Sequence, residues 1–348
     1  VIRYLAVRLA QAVGVLWAAY TVSFLVLYAL PGDPVRLLAG ADANDLTEAQ
    51  LDALRAQFGL DRPLIVQYAD QLVGVLRGDL GTSLVTGRPV TVILGEALGP
   101  TAVLAAAALV LAVVLGSLIA IAANYTRHRW LANTLLALPP LGVAIPGFWF
   151  GLLLIQWFSF GIPLFPAVGD SGFASIVLPA IALSLPTGAM IAQLLSKSLS
   201  TTLREPYIDT AWSKGADRAR VHLRHALRNA ALPALTVTGL VVGQLLSGTV
   251  VTETVFSRPG IGRLTASAVQ QQDIPVVQGV VVFAAVVFVV VNLLVDLIYP
   301  LLDPRIVTVG RRSRKTRATN GGGPTTDDGA LPTAAAERPR ELVEGVRS

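Results

Sequence analysis

Long apolar runs alternate with shorter polar stretches along most of this chain. A bilayer crossing takes about 20 apolar residues, enough to span roughly 30 Å of hydrocarbon as a helix. Six runs meet that length, near residues 9–30, 101–124, 132–157, 174–196, 234–253 and 277–299. The second, TAVLAAAALVLAVVLGSLIAIAAN, carries no charge. The third contains Pro139, Pro140 and Pro146 among several glycines, which predicts a kinked helix. The first run is longer than a usual signal core and is read as a retained span. The pattern predicts an all-α membrane protein with six transmembrane helices.

The polar stretches have their own periodicity. In DANDLTEAQLDALRAQFG, Asp42 to Gly59, Leu51, Leu54 and Phe58 recur at helical spacing, and Asp45 with Glu48 forms a candidate capping box. Pro63 opens a second short helix with Ile65, Tyr68, Leu72 and Leu76 near one face. RGDLGTSLVTGRPV, Arg77 to Val90, is rich in turn formers. Between the fourth and fifth runs lies a basic segment, Arg204 to Thr236, that reads as two short helices hinged at Gly215. Asp209 and Thr210 stand at the expected start of the first. Ala219, His222, Leu223 and Ala226 share one face of the second, with Arg218, Arg220, Arg224 and Arg228 around its polar side. Asn229 and Pro233 mark the exit into the next run. The residues alone leave two readings of this unit: it lies against a partner protein, or it rests on lipid headgroups. Residues 307–348, polar and rich in Gly, Pro, Thr and Arg, are expected to be disordered.

Composition sharpens this picture. Mean hydropathy is +0.64 and charged residues make up 14% of the chain, against about 25% in soluble domains. The net charge of +5 is informative through its distribution. Residues 31–100 hold five basic and nine acidic side chains, whereas 197–232 hold seven and three. The turn at Arg127, His128 and Arg129 and the amino end, with Arg3 and Arg8, are also basic. Lys and Arg mark the cytoplasmic side of short loops. Both termini and the 197–232 loop are therefore expected inside, and 31–100 outside. Cysteine is absent, which excludes disulfides and cysteine metal sites. No G-x-x-x-x-G-K-[ST] phosphate loop, H-E-x-x-H motif or G-x-S-x-G elbow occurs. His222 and His225 share a face, but no further ligand stands near them, so a structural role is favoured over a metal. Glu253 and Asp296 fall near run ends, where water is expected to reach them. A transporter, without a catalytic centre of its own, fits these features. An ion-coupled carrier and a non-transporting anchor or assembly protein remain as alternatives.

The basic loop resembles the cytoplasmic signature loop of ABC importer permeases of the dipeptide, oligopeptide and nickel type. The matching residues are Asp209-Thr210-Ala211, Lys214-Gly215, Arg224-His225-Ala226-Leu227-Arg228-Asn229 and Leu232-Pro233. The start reads Asp-Thr-Ala where the general signature has Glu-Ala-Ala. Further likenesses are LYALPGDPV, FGLDRPLIVQY, RGDLGTSLVTGRPV, VTETVFSRPGIGRL and LLDPR, so the resemblance covers residues 1–306 and leaves the tail out. It implies the type I importer fold in a bacterial inner membrane. The first span would occupy 1–30, an extracytoplasmic insertion of short helices 31–100, and the permease core 101–306, followed by the 307–348 tail. It further implies that Tyr207, Asp209, Thr210, Ala211, Lys214, Gly215, Arg224, His225, Arg228 and Asn229 engage an ATPase subunit. Ala211 and Gly215 would act there through small size. Pro31, Gly32, Asp33, Pro34 and Pro233 would be structural. Gly78, Asp79, Gly81 and Glu253 would meet a solute-binding protein. The implied partners are a second permease, two ATPase subunits that hold ATP and Mg, and that binding protein. No cofactor is expected on this chain.

Overall fold

The computed structural model describes residues 2–29, 47–57, 61–170 and 172–302. Pro31, Gly32, Asp33, Pro34, Asp45, Phe58 and the 307–348 tail lie outside the described residues. Among the described residues the regular structure is helical, apart from one isolated bridge between Thr82 and Pro89. The described helices fall in one compact unit ending at Leu302.

Helix α1 (Ile2–Ala29) packs along the last long helix. A short helix α2 (Glu48–Gln57) follows. Its start is set by Thr47 and Gln50 rather than by Asp45 and Glu48: the Thr47 N–H donates to Gln50 Oε1 at 2.9 Å, half of a Thr-x-x-Gln capping box. Helix α3 (Leu64–Leu76) begins after Pro63, as expected, but only part of the expected face, Tyr68 and Leu72, turns inward. Ile65 and Leu76 are exposed, whereas Gln67 is buried. The Tyr68 ring decides the rotation. It lies against Tyr20 and Phe24 of α1 with centroids 5.5 and 5.3 Å away, and its hydroxyl is hydrogen-bonded with Thr21 at 2.9 Å.

Helix α4 (Val90–Tyr125) has 36 residues and is the longest helix described. Leu104, Ala108, Ala112, Gly116 and Ala120 form a buried stripe of mostly small side chains at every fourth position. Small residues let helix backbones approach closely where lipid supplies no hydrophobic drive for association. The partner is α7 (Ala174–Thr202), which forms with α4 the most extensive helix contact in the fold. A Cβ added at Gly116 would lie 2.5 Å from the Gly188 carbonyl oxygen, so glycine is required by that approach.

The third apolar run is broken rather than kinked. Helices α5 (Arg129–Ala144) and α6 (Gly147–Ile155) meet at 101°. Pro146 disfavours the α conformation at the residue before it, and Ile145 is accordingly extended at φ −77°, ψ 124°. A π-helical turn, Gln156–Gly161, closes α6. Pro139 and Pro140 sit inside α5 without ending it.

After α7 come the short α8 (Pro206–Ser213), α9 (Leu227–Val255), α10 (Ile261–Gln270) and α11 (Ile274–Leu302). Among the described residues three helices are long and apolar enough to cross a membrane, Ala6–Leu27, Val90–Tyr125 and Ala174–Thr202. The bent α5–α6 pair makes a fourth if it counts as one span. The fifth and sixth expected runs fall within α9 and α11.

Candidate functional site

Two constructions occupy opposite ends of α4, and α9 joins them. The first is the basic loop. Helix α8 starts at Pro206, earlier than Asp209 and Thr210 suggest, because proline suits the first helical position, where no N–H is needed. Asp209 falls in the first turn and Thr210 Oγ1 donates back to the Pro206 carbonyl. The chain turns at Gly215, which follows α8 at φ +79°, a region glycine enters without strain. A Cβ there would meet nothing within 4 Å in this chain, so what this chain requires of Gly215 is its backbone angle rather than its size. Ala211, in contrast, is buried, so its small side chain serves packing within the chain.

The second half of the loop is not a separate helix. A π-helical stretch, Arg220–Ala226, runs straight into α9, and Pro233 lies inside that helix. The wider turn shifts the face: Val221, His222 and Ala226 are buried, while Leu223 is exposed. Ile208, Ala211, Val221, Ala226 and Ala230 share a core with Ala120 of α4 and with Leu195 and Leu199 of α7. His222 plays a structural part, with Nδ1 2.9 Å from the Arg218 carbonyl and its ring edge-on to Tyr125. Asn229 Nδ2 donates to the Tyr207 hydroxyl at 2.9 Å, and that hydroxyl lies 3.4 Å from the His225 carbonyl, so the two halves of the loop are tied together. Asp209, Thr210, Lys214, Gly215, Arg224, Arg228 and Asn229 are exposed and His225 is half-buried. On the same segment Tyr207, Trp212 and Leu223 present apolar surface, 39%, 44% and 51% exposed.

The second construction is built on Glu253, and it overturns the expectation that water reaches this residue. Glu253 is 0% exposed. Its Oε1 accepts from Thr101 Oγ1 at 2.7 Å, and its Oε2 accepts from the Gly262 N–H at 2.7 Å and the Arg263 N–H at 3.4 Å. Thr101 Oγ1 also accepts from the Ile261 N–H at 2.8 Å. These N–H groups begin α10, so a carboxylate from α9 caps another helix, where negative charge is favoured. Gly260 is required by this packing, because a Cβ there would lie 2.2 Å from the Glu253 carboxyl. The buried Glu253 side chain therefore offers no surface to a binding protein in this conformation. Beside it, the buried Arg258 donates to Asp170 at 2.8 Å and to the Ser175 carbonyl at 3.1 Å.

The turn-rich segment joins the same end. The Ser83 hydroxyl donates to Asp273, which also accepts from the Leu84 N–H at 3.1 Å. Gly78 and Gly81 are exposed at φ +83° and +82°, and Asp79 Oδ1 accepts from the Gly81 N–H at 2.9 Å. Sequence reasoning missed Thr101, Ser83, Asp170, Ser175 and Asp273. Each is an ordinary residue whose partner lies far along the chain, and only the fold brings the pairs together.

A helical, multi-pass membrane protein with a basic loop packed across its bundle end is the class these features define. The chain belongs to the family described as binding-protein-dependent transport system inner membrane component, which matches residues 112–308. The family's N-terminal component matches residues 1–98. Among curated relatives, the glutathione transport system permease protein GsiC of Salmonella choleraesuis is 38% identical over 306 residues, covering 88% of this chain and 99% of that one. GsiC of Escherichia coli O6:H1 is 36% identical over 305 residues, with the same coverages. A putative peptide transport system permease protein of Brucella abortus is 36% identical over 307 residues, covering 86% and 97%. A crystal structure of an amino acid ABC transporter with histidines overlaps 60% of this chain and 92% of that one, at TM-score 0.47 and 16% identity, too loose a likeness to carry any argument. The chain is thus a permease subunit of an ABC-type import system and not itself an enzyme. Its kinship implies a partner permease, ATPase subunits and a solute-binding subunit.

Proposed function

We propose that this permease carries short peptides of about the size of glutathione inward across a bacterial inner membrane, driven by ATPase subunits that grip the basic loop. One observation carries the reading. The loop buries one side across the ends of α4 and α7 and leaves Tyr207, Trp212 and Leu223 exposed amid Lys214, Arg224 and Arg228. Exposed aromatic side chains and arginines on one segment are the residue types enriched in protein-binding surfaces. The proposed spans are six, formed by α1, α4, the α5–α6 pair, α7, α9 and α11, with both termini and the basic loop cytoplasmic. Charge bias supports that orientation. Gly78, Asp79 and Gly81 then stand on the outer side, where a solute-binding protein docks. Glu253 acts indirectly, by holding α10 against α4 and α9.

Helix α9 is the proposed lever. Its 29 residues span about 43 Å, from the basic loop to the Glu253 cap. A push on the loop therefore reaches the far end through one element. The cargo is argued from the relatives' names, which cite glutathione and peptides. Reconstitution tests the whole reading. ATP-dependent uptake of labelled di- and tripeptides and of glutathione is expected only when every subunit is present. Flux through this chain alone, under a proton or sodium gradient, would instead establish the ion-coupled carrier.

A further inference from the structure

A cavity of about 530 Å³ opens beside the basic loop, between the α4–α5 turn and Arg218. Its lining holds two cations, Arg127 and Arg218, with the His128 ring beside them, and no Asp or Glu. Arg218 is already placed: its guanidinium lies over the Tyr125 ring, 5.3 Å from the centroid, and Nη2 donates to the Thr126 carbonyl at 3.4 Å. Its Nε is buried and has no hydrogen-bond partner. Helix α5 begins at this cavity, and no side chain caps its first turn. Uncapped N–H groups and the helix dipole favour an anion there. Part of the lining is apolar, with Ala122 and with Leu131 and Leu135 one turn apart on α5. Trp130 is 69% exposed next to it, in keeping with the aromatic belt at a membrane surface.

From this geometry we infer that the cavity binds an anionic phospholipid, its phosphate held by Arg127, His128, Arg218 and the α5 N-terminus, and an acyl chain along Leu131 and Leu135. A free phosphate would satisfy the cations but leave the leucines uncovered. An acidic side chain from a partner protein would do the same. Because Arg218 belongs to the basic loop and Arg127 to the α4–α5 turn, the headgroup pins the loop to the bundle. This inference rests on the cytoplasmic orientation proposed above.

The test uses the assembled importer in nanodiscs of phosphatidylcholine with or without phosphatidylglycerol, and counts retained lipid by native mass spectrometry. Retention of phosphatidylglycerol over phosphatidylcholine is expected. Arg127→Gln and His128→Gln should each lower that preference, the first by about fivefold for the lost cation, while Arg127→Lys keeps it. Three results would overturn the site: equal retention of both lipids, full displacement of phosphatidylglycerol by inorganic phosphate, or loss of the ATPase subunits from Arg127→Gln, which would mark a protein interface. ATP-driven uptake into sealed liposomes of phosphatidylcholine judges the transport reading separately, so failure of one leaves the other standing.

Discussion

Gly215 separates two explanations that the sequence does not distinguish. If a partner's close approach requires a small residue, alanine is the mildest replacement. The structure makes the left-handed backbone the requirement, which costs an ordinary L-residue about 1–2 kcal/mol. Asparagine tolerates that region better than alanine or valine despite its bulk. Gly215→Asn is therefore expected to retain more uptake than Gly215→Ala, and Gly215→Val to retain least. The reverse order for Asn and Ala, at equal membrane abundance, would restore size as the cause. Glu253 supplies a second contrast. Thr101→Val removes one interhelical hydrogen bond, and such bonds average about 0.6 kcal/mol in bilayer proteins. It also strips the Ile261 N–H of its acceptor. Glu253→Gln keeps an oxygen for the Gly262 and Arg263 N–H groups only by aiming its NH2 at Thr101 Oγ1, and it replaces charge-assisted bonds by neutral ones, a loss of about 1.5–3 kcal/mol. Thermal unfolding in detergent should rank Glu253→Gln below Thr101→Val, and Thr101→Val below the parent. Equal melting of all three would mean that the buried cap is absent.

Among the elements, the apolar runs were easy to read and their partners were not. Every expected run coincides with a helix or helix pair, because uninterrupted apolar length is a local signal. Rotation about the axis is not local, and here it decided the misreadings. On α3 Tyr68 packs inward while Ile65 and Leu76 of the same expected face stay exposed and Gln67 is buried, and the π-helical turn exchanged Leu223 for Val221. The break before Pro146 was legible as a proline, but not as a bend of 101°. The Ala108-Ala112-Gly116-Ala120 stripe stands openly in the sequence, as small residues every fourth position, and only the α7 backbone gives it a purpose. Overpacking a filled interface costs about 1–3 kcal/mol when side chains can shift. Backbone at Gly188 cannot shift so readily. Gly116→Leu should therefore cut the yield of folded chain in the membrane, whereas Val110→Leu on the exposed side of α4 should not. Equal yields would show that α4 and α7 do not pack this closely.

For the whole molecule, the basic loop and the Glu253 cap sit at opposite ends of a bundle joined by α4, α7 and α9, and the proposal gives the first to the ATPase subunits and the second to the outer side. The basic loop was readable as a unit because charge this dense is rare in so apolar a chain. Its attachment to Ala120, Leu195 and Leu199 was not readable, since those residues look like any others in their runs. That attachment is what lets a force on the loop move helices rather than only the loop. The chain has no cysteine, so a single introduced thiol reports on one position. Trp212→Cys in whole spheroplasts and in inside-out vesicles, probed with a membrane-impermeant maleimide and then with a crosslinker to the ATPase subunit, tests the account most directly. It predicts labelling in inside-out vesicles alone, and a crosslink to the ATPase whose yield changes with nucleotide. Labelling in spheroplasts, or no crosslink in any nucleotide state during active uptake, would contradict it.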